Sequence, residues 1–167
     1  VMFLYLIIVQ LIEQWKGKIK SWPDCLIVYG SAIIGAFTFA VTDSHWFNAV
    51  EAEVYSFSTF FTSIVVWLIL KWNTNSGHPG NVRYILFIAY MFGLAIGIHL
   101  LNLLALPFIA LIIYYNKYDP KPVSFITTIG ITISVFMVIY LGIIKGLPNM
   151  ANSYGLNFPV FIILLVF

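Results

Sequence analysis

Apolar residues fill this chain in long unbroken stretches separated by short polar connections. The stretches are apolar on every side, unlike the one-faced pattern of a surface helix. About 20 such residues, at 1.5 Å each, cross the roughly 30 Å of a bilayer's hydrocarbon. Segments 1–12, 25–42, 51–70, 84–98, 103–116, 123–144 and 158–167 read in this way, with 1–12 as the tail of a span. The expected architecture is all-α: a single polytopic transmembrane helical bundle of about six or seven membrane segments. A membrane β-barrel would instead show short segments of alternating polarity, and none is visible.

The stretch 84–116 is ambiguous. It carries no charge unless His99 is protonated. As one helix its 33 residues would span about 50 Å, too long for a bilayer without steep tilt, and as two helices each is short. His99 and Asn102 lie at its middle with Pro107 shortly after, which suits a tight re-entrant-like hairpin shielded by other helices, because unpaired backbone cannot face lipid.

Composition strengthens the membrane reading. The chain is 62% hydrophobic and 8% charged, against about 25% charged in an ordinary soluble domain. A net charge of +2 with no basic stripe excludes nucleic acid as a partner. Cys25, the one cysteine, excludes an internal disulfide and a cysteine metal cluster. The first stretch lacks the basic n-region of a signal peptide. Both ends open directly onto apolar residues, so the chain is expected to be an internal fragment of a longer polytopic protein.

Charge placement orients the segments. The basic connections are 14–24 (Lys16, Lys18, Lys20), 71–83 (Lys71, Arg83) and 117–121 (Lys117, Lys121). With a hairpin at 84–116, one side holds seven of the eight basic residues, leaving Lys145 opposite; with a single helix the split is six to two. The positive-inside rule therefore leans towards the hairpin. In either case 14–24 is expected on the cytoplasmic side of a bacterial inner membrane, and Asp43–Val50 in a loop on the periplasmic side.

That outer face collects Asp43, His45, Trp46, Asn48, Glu51, Glu53, Tyr55, His99 and Asn102. Glu53 stands at the start of an apolar helix, where a carboxylate is costly to desolvate, and it is the first candidate general base. Glu51 and Asp43 are the other candidate catalytic carboxylates. Each has a structural alternative. Asn48 followed three residues later by Glu51 fits a helix-capping pair, and Asp43 could serve simply to cap or solvate the loop. Glu51 and Glu53 point about 200° apart on a helix, so one helix cannot turn both to one substrate. His99 could equally bond Asn102 across the turn. Trp46, Tyr55, Trp67 and Trp72 also suit interfacial aromatic belts, and Gly93 with Gly97 suits a close helix contact. No phosphate loop, Ser-His-Asp set or zinc motif is present.

Two runs carry a resemblance. Asp43-Ser44-His45-Trp46-Phe47-Asn48-Ala49-Val50-Glu51-Ala52-Glu53-Val54-Tyr55 resembles the segment D-S-x-W-F-x-A-V-E-x-E-V-Y of a bacterial polytopic membrane family catalogued as a domain of unknown function. Gly93-Leu94-Ala95-Ile96-Gly97-Ile98-His99-Leu100-Leu101-Asn102-Leu103-Leu104 resembles its second hallmark, G-L-S-I-G-x-H-L-L-N-L-L, with Ala95 in place of Ser. The resemblance covers about 29–115. That family is similar to protein O-mannosyltransferases and to the C-type glycosyltransferases. The resemblance implies a membrane glycosyltransferase that takes a sugar from a polyprenyl-phosphate donor and passes it, on the outer face, to a protein or glycan acceptor, with membrane lipids as its surroundings. It implies Glu53, and with it Glu51, as the second acidic group near the carrier phosphate or acceptor, and His99 and Asn102 as contacts to phosphate or sugar hydroxyls; from the outer-face set Asp43 joins the candidate catalytic residues, and His45 and Tyr55 the candidate substrate contacts. The family's principal acidic residue belongs to a Trp-Asp-x-Gly-Glu-Phe-like stretch that this chain does not contain, so the chain alone is expected to be inactive. No cofactor is specified; a divalent cation held by carboxylates is one way to stabilise the departing phosphate. Two rival readings stay open: a transporter or channel component using Glu53 and His99, and a non-catalytic assembly subunit.

Overall fold

The computed structural model describes residues 1–17, 19–50, 54–78, 80–118 and 121–166. Among them are eight helices and no strand. They are α1 (Met2–Lys16), α2 (Trp22–Ala40), α3 (Asp43–Val50), α4 (Tyr55–Thr74), α5 (Val82–Ile98), α6 (Ala105–Lys117), α7 (Pro122–Ser153) and α8 (Phe158–Val166). A 3-10 turn, Leu100–Leu104, joins α5 to α6. Helices α2, α4 and α7 are each long and apolar enough to cross a membrane. The all-α membrane architecture expected from the apolar runs is the one observed. Val1–Asp119 form one compact unit and Pro120–Phe167 a second.

In the first unit the helix ends follow from local chemistry. Gly17, at φ 82, stops α1 in a conformation that costs glycine little. Ser21 and Asp24 start α2 with a reciprocal capping box, and Lys16 Nζ meets Asp24 Oδ1 at 2.8 Å across the connection. The stretch Asp43–Val50, expected as a loop, is a helix of its own. The backbone N–H groups of His45 and Trp46 both donate to the Thr42 carbonyl, and Asp43 sits in the first turn, where the helix dipole favours a negative charge.

α4 is the centre of this unit and the most buried of the three long helices. Its Ile64, Val65, Leu68, Ile69 and Trp72 form the core with Ile88 of α5. Phe3 of α1 and Ile109, Ile112 and Ile113 of α6 pack around that core. Phe3 lies 5.8 Å from Phe60, and Gln10 Nε2 donates to Thr74 Oγ1 at 3.1 Å, so α1 runs alongside α4 in the same direction. α5 returns antiparallel. α6 is again parallel to α4, with Asn102 beside Ser58 at one end and Asn116 Nδ2 donating to Asn73 Oδ1 at 2.7 Å at the other. The stretch 84–116 is thus two helices, of 17 and 13 residues, about 25 and 20 Å long. Both take α4 as their main packing partner.

These directions give the unit two unlike ends. One gathers the C-terminal turns of α1, α4 and α6 with Lys16, Lys71 and Lys117. The other, made by the start of α1, by α3, by the start of α4 and by the α5–α6 turn, holds histidines, amides, hydroxyls and Asp43 and, among the described residues, no lysine or arginine. Between the ends, Ile34, Phe37, Leu86 and Tyr90 are turned outward and exposed. Such a surface suits hydrocarbon and would be a liability in water.

In the second unit α7 continues past the expected end at 144. Lys145 stays in the helix with its ammonium 4.9 Å from the Tyr140 ring centroid, and π-type pairing over Val138–Gly146 accommodates Gly146 and the following Pro148. A turn through Gly155, at φ 67, leads into α8, where Phe161 stacks on Tyr154 at 6.4 Å.

Candidate functional site

At the histidine-bearing end of the first unit, the residues singled out from the sequence fall into two groups on different faces of α4. The first surrounds a cavity of about 630 Å³ between the start of α1, the end of α2, α3 and α4. Its lining mixes apolar side chains, from Met2, Phe3, Leu4, Phe39 and Phe60, with polar ones, from Ser44, His45, Asn48, Ser56, Thr59 and Ser63. His45 is half-buried, with its ring 4.7 Å from that of Phe39. The Ser56 hydroxyl donates to the Asn48 carbonyl and ties the start of α4 to the end of α3. Thr59 and Ser63 donate to the carbonyls of Tyr55 and Thr59, at 2.9 and 2.7 Å. Their oxygens therefore face the cavity as acceptors, while His45, Asn48 and Ser44 can donate.

The second group is Tyr55, His99 and Asn102. Tyr55 opens α4 and places its ring 5.2 Å from that of half-buried His99. His99 ends α5 in an extended conformation, φ −152 and ψ 129. Asn102, 3% exposed, has a committed side chain. Its Oδ1 accepts from Ser58 Oγ at 2.8 Å and from Thr62 Oγ1, and its Nδ2 donates to the Ala95 carbonyl. The Ala95 carbonyl, in the last turn of α5, also accepts the backbone N–H of His99 at 3.0 Å, so Asn102 adds a second donor to an oxygen with two lone pairs. Asn102 thereby secures the break between α5 and α6 and holds it on α4. Its amide bonds these neighbours, and Asn102 also lines a small cavity of about 270 Å³ with Ser58, Thr59, Thr62 and Ser63.

Asp43 is exposed in the first turn of α3 and lines no part of the cavity. Glu51 and Glu53 lie outside the described residues. Among the described residues, no three His, Cys, Asp or Glu side chains come together as a metal site.

The sequence reading passed over the hydroxyls at 56, 58, 59, 62 and 63 of α4. Their signal was there: positions 56, 59 and 63 recur at helical spacing on one face, 58 and 62 on the next. Polar groups in a membrane helix turn towards protein or a cavity.

The family model described as the protein O-mannosyl-transferase TMEM260 N-terminal domain matches residues 1–122. That stretch contains both runs on which the resemblance was read, and it ends where the second structural unit begins. No curated protein and no solved structure matches the chain.

Proposed function

From the premise that this chain belongs to the protein O-mannosyl-transferase TMEM260 N-terminal domain family, we propose that it forms part of a membrane glycosyltransferase using a polyprenyl-phosphate sugar as donor and a protein as acceptor. The observation that carries the reading is the mixed apolar and polar lining of the cavity between α1, α2, α3 and α4. A lipid-linked sugar needs apolar contacts for its first isoprene units and polar ones for its hydroxyls, and this lining offers both. The cavity belongs to the end of the unit opposite Lys16, Lys71 and Lys117. By the positive-inside rule that end faces away from the cytoplasm.

In this reading Glu53 takes the proton of an acceptor hydroxyl as the new oxygen–carbon bond forms at C1 of the sugar. The bond from C1 to the phosphate oxygen breaks, and the polyprenyl phosphate leaves with that electron pair. Its charge is met by hydrogen-bond donors of the cavity, with His45 in that role.

Photocrosslinking tests the donor site. A polyprenyl-phosphate hexose with a diazirine near its first isoprene unit should label peptides from α1, α2 and the first half of α4. Excess unmodified donor should suppress that label. Label spread evenly over outward-facing surfaces such as Leu86 and Tyr90, and insensitive to the competitor, would overturn the assignment.

A further inference from the structure

The basic end of the first unit holds a second cavity, of about 700 Å³, between α1, Gly17, Ile19 and the end of α4. Neither the family membership nor the proposed chemistry uses it. Gln10 of α1 reaches into it from a buried position, 9% exposed, and its Oε1 is buried without a hydrogen-bond partner. The amide orientation is fixed by its neighbours. Thr74 Oγ1 donates to the Leu70 carbonyl at 3.0 Å and accepts from Gln10 Nε2 at 3.1 Å and Gln14 Nε2 at 2.9 Å. Turning the Gln10 amide over would require the Thr74 hydroxyl to leave the Leu70 carbonyl and would lower the number of hydrogen bonds. The orientation with more hydrogen bonds leaves Oε1 without a donor, and such a group costs free energy unless a donor reaches it.

The surroundings say which donor fits. Glu13 adds a carboxylate to the same wall. The C-terminal turns of α1 and α4 both end here, and each contributes the partial negative charge of unpaired carbonyls. All three features select a positively charged N–H donor. On the α4 side stands Lys71, its Nζ 6.0 Å from the Trp67 ring centroid, a cation suited to a phosphate. Leu6 and Val9 supply an apolar floor. Lys16 and Lys71 mark this level as a membrane interface.

We propose that this cavity binds the headgroup of a zwitterionic phospholipid ending in a primary ammonium, with the ammonium on Glu13 and on a Gln10 amide oxygen turned out to meet it, and the phosphate on Lys71. A choline headgroup has the same charges and no N–H, so it cannot satisfy Gln10. The site lies at the opposite end of the unit from the proposed transfer chemistry and stands whether or not that chemistry is right.

The test is native mass spectrometry of the purified full chain, released from mixed micelles holding equal amounts of phosphatidylethanolamine, phosphatidylcholine and phosphatidylglycerol. The native chain should retain phosphatidylethanolamine about tenfold or more over either competitor, the worth of one well-placed charged hydrogen bond. Glu13→Gln, a near-isosteric change, and Gln10→Met should each bring retention close to parity. Soluble phosphoethanolamine, which has the head and lacks the chains, should displace little. Equal retention of phosphatidylethanolamine and phosphatidylcholine by the native chain would overturn the proposal. So would phosphatidylglycerol held as strongly as phosphatidylethanolamine, a preference unchanged in both variants, or full displacement by soluble phosphoethanolamine.

Discussion

Replacing Asn102 with leucine keeps the side-chain size and removes three hydrogen bonds at once: those from Ser58 and Thr62, and the one to the Ala95 carbonyl. Side-chain hydrogen bonds between membrane helices average about 0.6 kcal/mol each, so three are worth about 2 kcal/mol. Part is recovered, because Ser58 and Thr62 can turn their hydroxyls back onto carbonyls of their own helix, as Thr59 and Ser63 already do. The expected loss is about 1–2 kcal/mol, which for a chain of this size lowers Tm by roughly 2–8 °C. Thermal unfolding in detergent micelles measures it. A cycle isolates the cause: in a Ser58→Ala, Thr62→Val background, Asn102→Leu should cost markedly less. If Asn102 instead serves substrate alone, Asn102→Leu would leave Tm unchanged while abolishing transfer. That result would refute the reasoning, and so would a full loss of stability that persists in the double-substituted background.

Other expectations follow from packing and topology. A Cβ added at Gly35 would lie 3.0 Å from Ile8 Cδ1, so Gly35→Leu should force α1 from α2 and cost about 1–3 kcal/mol, read as a lowered Tm. Ser63→Leu should fill part of the polar lining beside α4 and reduce transfer about tenfold or more, with Tm held or raised; unaltered transfer would remove the cavity from the donor's path. In a Cys25→Ser background, Trp46→Cys and Asn75→Cys should react with an impermeant maleimide from opposite sides of sealed vesicles, because α4 separates them.

Much of the fold was legible because the apolar runs have lengths that only membrane helices explain. The break near His99 was foreshadowed by a stretch too long for one span with its polar residues at the middle. What Asn102 does there was not, since Ser58 and Thr62 lie 44 and 40 residues away and nothing local pairs them. α3 was hidden for a different reason: Asp43, Ser44, His45 and Asn48 read as loop chemistry, yet they start and line a short helix whose Trp46 and Phe47 remain outward. Lys145 and Pro148 resemble an end to α7, and only the contact with Tyr140 and the π-type turn show why the helix passes them. Gln10 escaped notice because a single glutamine in an apolar helix carries no pattern. Its meaning lies in an oxygen left unpaired by contacts from Thr74, 64 residues along the chain.

The central claim is sugar transfer dependent on Glu53, and comparative glycopeptide mass spectrometry reaches it most directly. Cells carrying the native protein, the Glu53→Gln variant or no copy are compared for hexose-bearing peptides, with membrane levels of the two forms matched by immunoblot. The account predicts defined peptides that carry the hexose mass with the native protein and lose it in both other strains. Identical glycopeptides in all three would contradict sugar transfer itself.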